Sequence, residues 1–138
     1  MPKINTVELM GILNGASYEV GGSYVVNPDT ANDIDIVVHE HLALHSYKGF
    51  HRLNCRDDKY DEIDHVRLTA VHEGMIDGVK YNIIVVGAAF WPAYLGAIAE
   101  MRNNPEMYTD RESRVELHRS LSRQVAAIAK IDLPDGAY

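Results

Sequence analysis

The run IDIVVH, residues 34–39, constrains the fold more than any other part of the chain. Ile34, Ile36, Val37 and Val38 leave it little polar surface, so it reads as a buried strand. A strand of that kind needs cover on both sides, and the rest of the sequence must supply it.

The cover is legible on either side of the run. Asn5-Thr6-Val7-Glu8 has the form of an N-cap with a capping-box partner, Leu9, Ile12 and Leu13 give an apolar face, and Asn14-Gly15 is a stop. SYEVGG is a short strand ending at a glycine pair, and NPDTAND is turn chemistry. HVRLTAVHEG and VKYNIIVVG read as two strands joined at Asp77-Gly78, a hairpin signal.

Beyond Gly87 the period becomes helical. Pro92 fits a first turn, Leu95, Ile98 and Met101 share a side, and Asn103-Asn104-Pro105 is the stop. Thr109 and Glu112 suggest a second capping box, before Leu117, Leu121, Val125 and Ile128 at helical spacing. The pattern weakens from His39 to Asp64, where the acidic RDDKYDEID suits a loop or an irregular helix. The expectation is an α/β (α+β) fold with a mixed sheet flanked by helices. It forms a single domain over residues 1–138, with a core at about 5–90 and C-terminal helices at about 91–131.

Asp33 and Asp35, leading the buried strand, fall on one side of it because the side-chain period is two. Like charges so placed repel unless a cation lies between them. Mg²⁺ (or Mn²⁺) suits such a pair, since it takes oxygen ligands and leaves positions for water and phosphate. Upstream, Gly21-Gly22-Ser23 forms a turn where backbone N–H groups can approach phosphate oxygens.

The glycine-serine turn, a spacer of about ten residues and an acid-hydrophobic-acid strand resemble the nucleotidyltransferase superfamily of the DNA polymerase β type. The resemblance spans roughly Leu9 to Val86 and is anchored on Gly22, Ser23, Asp33 and Asp35. It implies a minimal polymerase β-type fold, an NTP held by the Gly-Ser pair, and divalent metal on the two acids. A third acid on a later neighbouring strand would deprotonate an attacking hydroxyl. The matching run here, GVKYNIIVV, puts Asn82 in that place, and an amide can ligate a metal but is a very poor base. Glu73, Asp64 and Asp77 are the conceivable substitutes. The segment from Tyr81 through the C-terminal helices also looks similar to small phage-encoded nucleotidyltransferase-like proteins.

Two functions follow from the resemblance. One is transfer of a nucleotidyl group from an NTP to a hydroxyl of RNA (a tRNA, for instance) or of a protein. The other is an inactive scaffold that binds nucleotide or a protein partner as an inhibitor or regulator. Arg111, Arg114 and His118 fall on one face of the last helix, with Arg119, Arg123 and Lys130 as a neighbouring stripe. Arg111 and Arg114 are candidates for the triphosphate, against the plainer reading of a solvated helix face.

His39, His41, His45 and His51 match no familiar zinc spacing, with or without Asp57 and Asp58. Trp91, Tyr94 and Tyr108 suit a core better than a base stack, while Tyr24 follows the glycine-serine turn directly. The net charge of −7 and a pI near 5.4 disfavour unassisted binding to nucleic acid or anionic membrane. The one cysteine, Cys55, and the lack of an 18-residue apolar run fit a protein of the cytoplasm, or of a host cytoplasm if phage-encoded.

Overall fold

The computed structural model describes residues 3–53 and 68–131. Helix α1 (Thr6–Ile12) leads into β1 (Glu19–Gly21), a single-turn helix α2 (Ser23–Val26) and β2 (Asp33–His39). After a short 3₁₀ turn come β3 (Phe50–Arg52), β4 (Leu68–Ile76) and β5 (Val79–Val86). Helices α3 (Trp91–Asn103) and α4 (Arg111–Ala129) follow. The strands form one five-stranded mixed sheet in the order β1-β2-β5-β4-β3, parallel only between β2 and β5.

The central pair carries the most apolar segments, as burial on both faces requires. Ile34, Ile36, Val38, Tyr81, Ile83 and Ile76 point to one side, where α1 covers them with Leu9 and Leu13. Val37, Ile84, Val86 and Val71 point to the other, where Ile98 and Met101 of α3 and Ala126 of α4 close the second cluster. Both C-terminal helices are therefore layers of the sheet's own core.

Local chemistry explains the ends. The Asn5 side chain accepts from the Glu8 N–H at 3.1 Å and donates to Asp77 at 2.7 Å, tying the start of α1 to the β4–β5 turn. In that turn Asp77 and Gly78 have φ of 53° and 77°, the backbone hand that a two-residue hairpin loop demands.

Four details depart from the sequence reading. The cap of α4 is Asp110, whose carboxylate accepts from the Ser113 N–H at 3.2 Å and from its hydroxyl at 2.6 Å, instead of Thr109. A carboxylate bonded at both oxygens and facing the positive helix end outcompetes a neutral hydroxyl. Ile128 is 84% exposed, on the face of α4 turned away from the core that Val125, Ala126 and Ile131 pack against. Leu95 sits at the edge of the α3 stripe, which is built from Ala93, Tyr94, Ala97, Ile98 and Met101. Strand β3 lies within the section read as irregular, and is too short for a period to register. Cys55, Asp57, Asp58, Asp64 and the acidic run RDDKYDEID lie outside the described residues. No helix among the described residues is long and apolar enough to cross a membrane.

His72 on β4 is a buried polar residue that composition gives no reason to single out. Its ring meets Tyr47 edge-on at 4.9 Å, and it is 2% exposed. Burial first, then the charges of Arg52 and His45, push its pKa below the ordinary histidine value. The folded protein therefore binds fewer protons at this site than the unfolded chain does. Its contribution is complete above about pH 6.5 and is lost as pH falls through the window below. Urea unfolding at pH 8 and pH 5.5 should show lower stability at the acid end, and His72→Phe should reduce that difference.

Candidate functional site

The two sheet faces differ at one end. On the α3/α4 side, the apolar rows at Val37 and Ile84 give way to a row made by Gly21, Asp35, Asn82, Glu73 and His51, paired in register across all five strands. The next row holds Asp33, Lys80 and Met75. Period-two alternation alone puts these side chains on one face, since Asp35 and Asp33 are two and four residues from Val37, and Asn82 is two from Ile84. A band of polar groups thus borders the apolar cluster.

Asp33, Asp35 and Asn82 come together there. The Asn82 amide nitrogen donates to Asp33 Oδ2 at 3.2 Å and to Asp35 Oδ1 at 3.1 Å. Asn82 is 3% exposed, and its carbonyl oxygen is buried with no hydrogen-bond partner. A donor between two carboxylates offsets their mutual repulsion, which is the electrostatic role a cation would otherwise take.

Gly22 closes the third side. Its backbone has φ 67° and ψ −158°, a region open essentially to glycine alone. A Cβ there would overlap Asp35 Oδ2. Ser23 starts α2 directly afterwards, and its carbonyl accepts from the Asn27 N–H at 2.8 Å. Gly21 is buried, and a Cβ there would press on Val37 and Ile98. Gly21 therefore serves packing, while Gly22 meets the carboxylate itself.

The two substitutes for the third acid that lie among the described residues, Glu73 and Asp77, are committed elsewhere. Glu73 is in register with Asn82, one strand further from the acids, and its carboxylate lies 2.6 Å from Lys80 Nζ. Asp77 accepts from Asn5 at the hairpin. Among the described residues no cluster of three or more His, Cys, Asp or Glu side chains is placed to share a metal ion. Among the described residues, the ligand set at the acids is thus two carboxylates plus neutral oxygens.

The basic face of α4 divides. Arg114 is half-buried and donates from Nη1 to the carbonyls of Tyr108 at 2.9 Å and Thr109 at 3.0 Å. Burial lowers its pKa, against which the charges of Asp110, Asp35 and Asp33 act upward. The guanidinium stays charged in any case, so Arg114 is a fixed cation within electrostatic reach of both acids. His118 turns inward onto Tyr94, with ring centroids 4.4 Å apart. Arg111 is exposed and, with Arg119 and Tyr108, lines a groove of about 920 Å³ along α4 that includes neither Asp33 nor Asp35. Arg123 lies 3.6 Å from Glu116, and Lys130 is at the exposed C-cap. The helix does not present its arginines as one clamp.

The aromatic and histidine candidates are mostly structural. Tyr94 is core, Trp91 packs edge-on against His39 at 5.3 Å, and the Tyr108 hydroxyl donates to Glu100 at 3.2 Å. Tyr24 packs against the α1-side cluster, and His39 Nδ1 accepts from the His41 N–H. The sequence reading missed the Glu73–Lys80 pair and the Glu40 carboxylate, which accepts from the Ala88 N–H at 2.6 Å and ties the exits of β2 and β5 together. Strand alternation could have placed Glu73; nothing local marks Glu40. Compared with protein-family models, curated proteins and solved structures, the chain finds no match.

Proposed function

We propose that this chain is a minimal nucleotidyltransferase of the polymerase β type, binding an NTP with Mg²⁺ (or Mn²⁺) at Asp33 and Asp35. The observation that carries the reading is the convergence of Gly22, Asp35 and Asn82, from three adjacent elements, at the polar border of the sheet. The donors fit the ion: two carboxylates and a buried, unpartnered carbonyl oxygen are all hard oxygen ligands. A divalent cation held there supplies charge neutralisation for the triphosphate and the departing pyrophosphate.

The chain's own groups have separable tasks. Gly22, lacking a Cβ, lets the backbone lie against the Asp35 carboxylate, and with Ser23 it forms the phosphate-side turn. Arg111 and Arg114, in the first turn of α4, are the cations available to balance triphosphate charge. Transfer joins the acceptor hydroxyl oxygen to the α-phosphorus, breaks the bond to the β-phosphate bridge and releases pyrophosphate. The hydroxyl proton passes to water, because the base position holds the Asn82 amide.

A second reading is favoured by one observation. Asn82 already bonds both acids, and Glu73 is held by Lys80, which suits a nucleotide- or protein-binding regulator without turnover. Incubation with each α-labelled NTP, Mg²⁺ or Mn²⁺, and cellular RNA and protein separates the two. Label transfer abolished by Asp33→Ala supports the enzyme; nucleotide binding without transfer supports the regulator. Transfer undiminished in Asp33→Ala would place the chemistry elsewhere.

A further inference from the structure

Asn82 is bonded on one side and orphaned on the other, and that asymmetry has a physical consequence. Its –NH₂ group holds both carboxylates, while its carbonyl oxygen, fully buried, has no partner. The carboxamide is nearly symmetric in shape, and its terminal torsion is broad and roughly two-fold. With no hydrogen bond on the far side, only what lies between Asp33 and Asp35 sets which end faces them.

Resting on the Mg²⁺ reading above, we propose that Asn82 is an occupancy-responsive ligand for a single divalent cation. Without the ion, the –NH₂ group bridges the acids and offsets their repulsion. With the ion, the same group would face a positive charge, so the amide turns over and presents Oδ1 as a third oxygen ligand. On the far side Oδ1 has no hydrogen bond to lose, and the bond from the ion to Oδ1 must offset the two N–H groups that leave the acids and turn inward. The site then carries two negative charges against one divalent ion. Among the described residues no third negative ligand is placed to hold a second ion, with Glu73 held 2.6 Å from Lys80. An acid at position 82 would differ on both counts: it repels its neighbours without metal and adds affinity with it.

The test follows the side-chain amide of Asn82 by ¹H–¹⁵N NMR while Mg²⁺ is titrated to saturation, with calorimetry counting the ions bound. Saturable binding of one ion per chain, with a large displacement of the Asn82 amide signals, is the expected result. Asn82→Asp should melt at a lower temperature than wild type in EDTA, recover with Mg²⁺, and bind the ion at least about tenfold more tightly. If Mg²⁺ binds but the amide signals stay in place, or Asn82→Asp binds no tighter, the switch is overturned and the metal site stands. If Mg²⁺ binds neither protein, the metal site falls and the switch falls with it. The wild-type spectra decide the matter even if the variant fails to fold.

Discussion

Gly22→Ala is expected to lose both stability and ligand binding. The backbone at φ 67° and ψ −158° costs a non-glycine residue about 1–3 kcal/mol by itself. The new Cβ also overlaps Asp35 Oδ2, so either the carboxylate swings out of the row or the β1–α2 junction shifts. The first outcome breaks the 3.1 Å bond from Asn82 to Asp35; the second disturbs a chain path that packs on β2. Thermal unfolding should report a drop of several degrees, and Mg²⁺–ATP affinity should fall at least about tenfold, or 1.4 kcal/mol. A variant melting like wild type would show that the junction tolerates a side chain and that the close approach is incidental.

Asp35→Asn is expected to separate function from stability in the opposite way. The amide is nearly isosteric, and its carbonyl oxygen can still accept from Asn82. One of two like charges on the same strand face is removed, so the melting temperature should equal or exceed that of wild type. Mg²⁺–ATP binding should weaken at least about tenfold, since an amide replaces a charged ligand. Such a trade is the signature of side chains kept for binding rather than for folding. A marked loss of stability with binding intact would instead make Asp35 a structural residue.

The fold was legible wherever one chemical signal acts over a few residues. Asn5 caps α1, Asp77-Gly78 turns the hairpin, and the apolar run after Asp35 is an interior strand of the sheet. Asn82 was expected near the two acids from the resemblance alone; alternation fixes its face, but the parallel pairing of β2 with β5 that sets it beside Asp35 is visible only in the structure. What sequence could not supply depends on meetings between distant segments. Lys80 disposes of Glu73 as a free acid only once the register of β4 on β5 is known. Arg114 and Arg111 share a helix face by spacing, yet one is held by the carbonyls of Tyr108 and Thr109 and the other is exposed. The one-residue difference between Thr109 and Asp110 as cap reflects two good capping residues side by side, which spacing does not rank.

The pairing of two acids with a buried amide, Gly22 against one of them, is the centre of the account. Isothermal calorimetry of ATP into the wild-type chain, with Mg²⁺ and then with EDTA, tests it most directly. Saturable binding that requires Mg²⁺ and disappears when Asp33 and Asp35 are both changed to Asn is the expected result. Absence of binding by the wild-type chain, or binding undiminished by EDTA and by the double substitution, would contradict it.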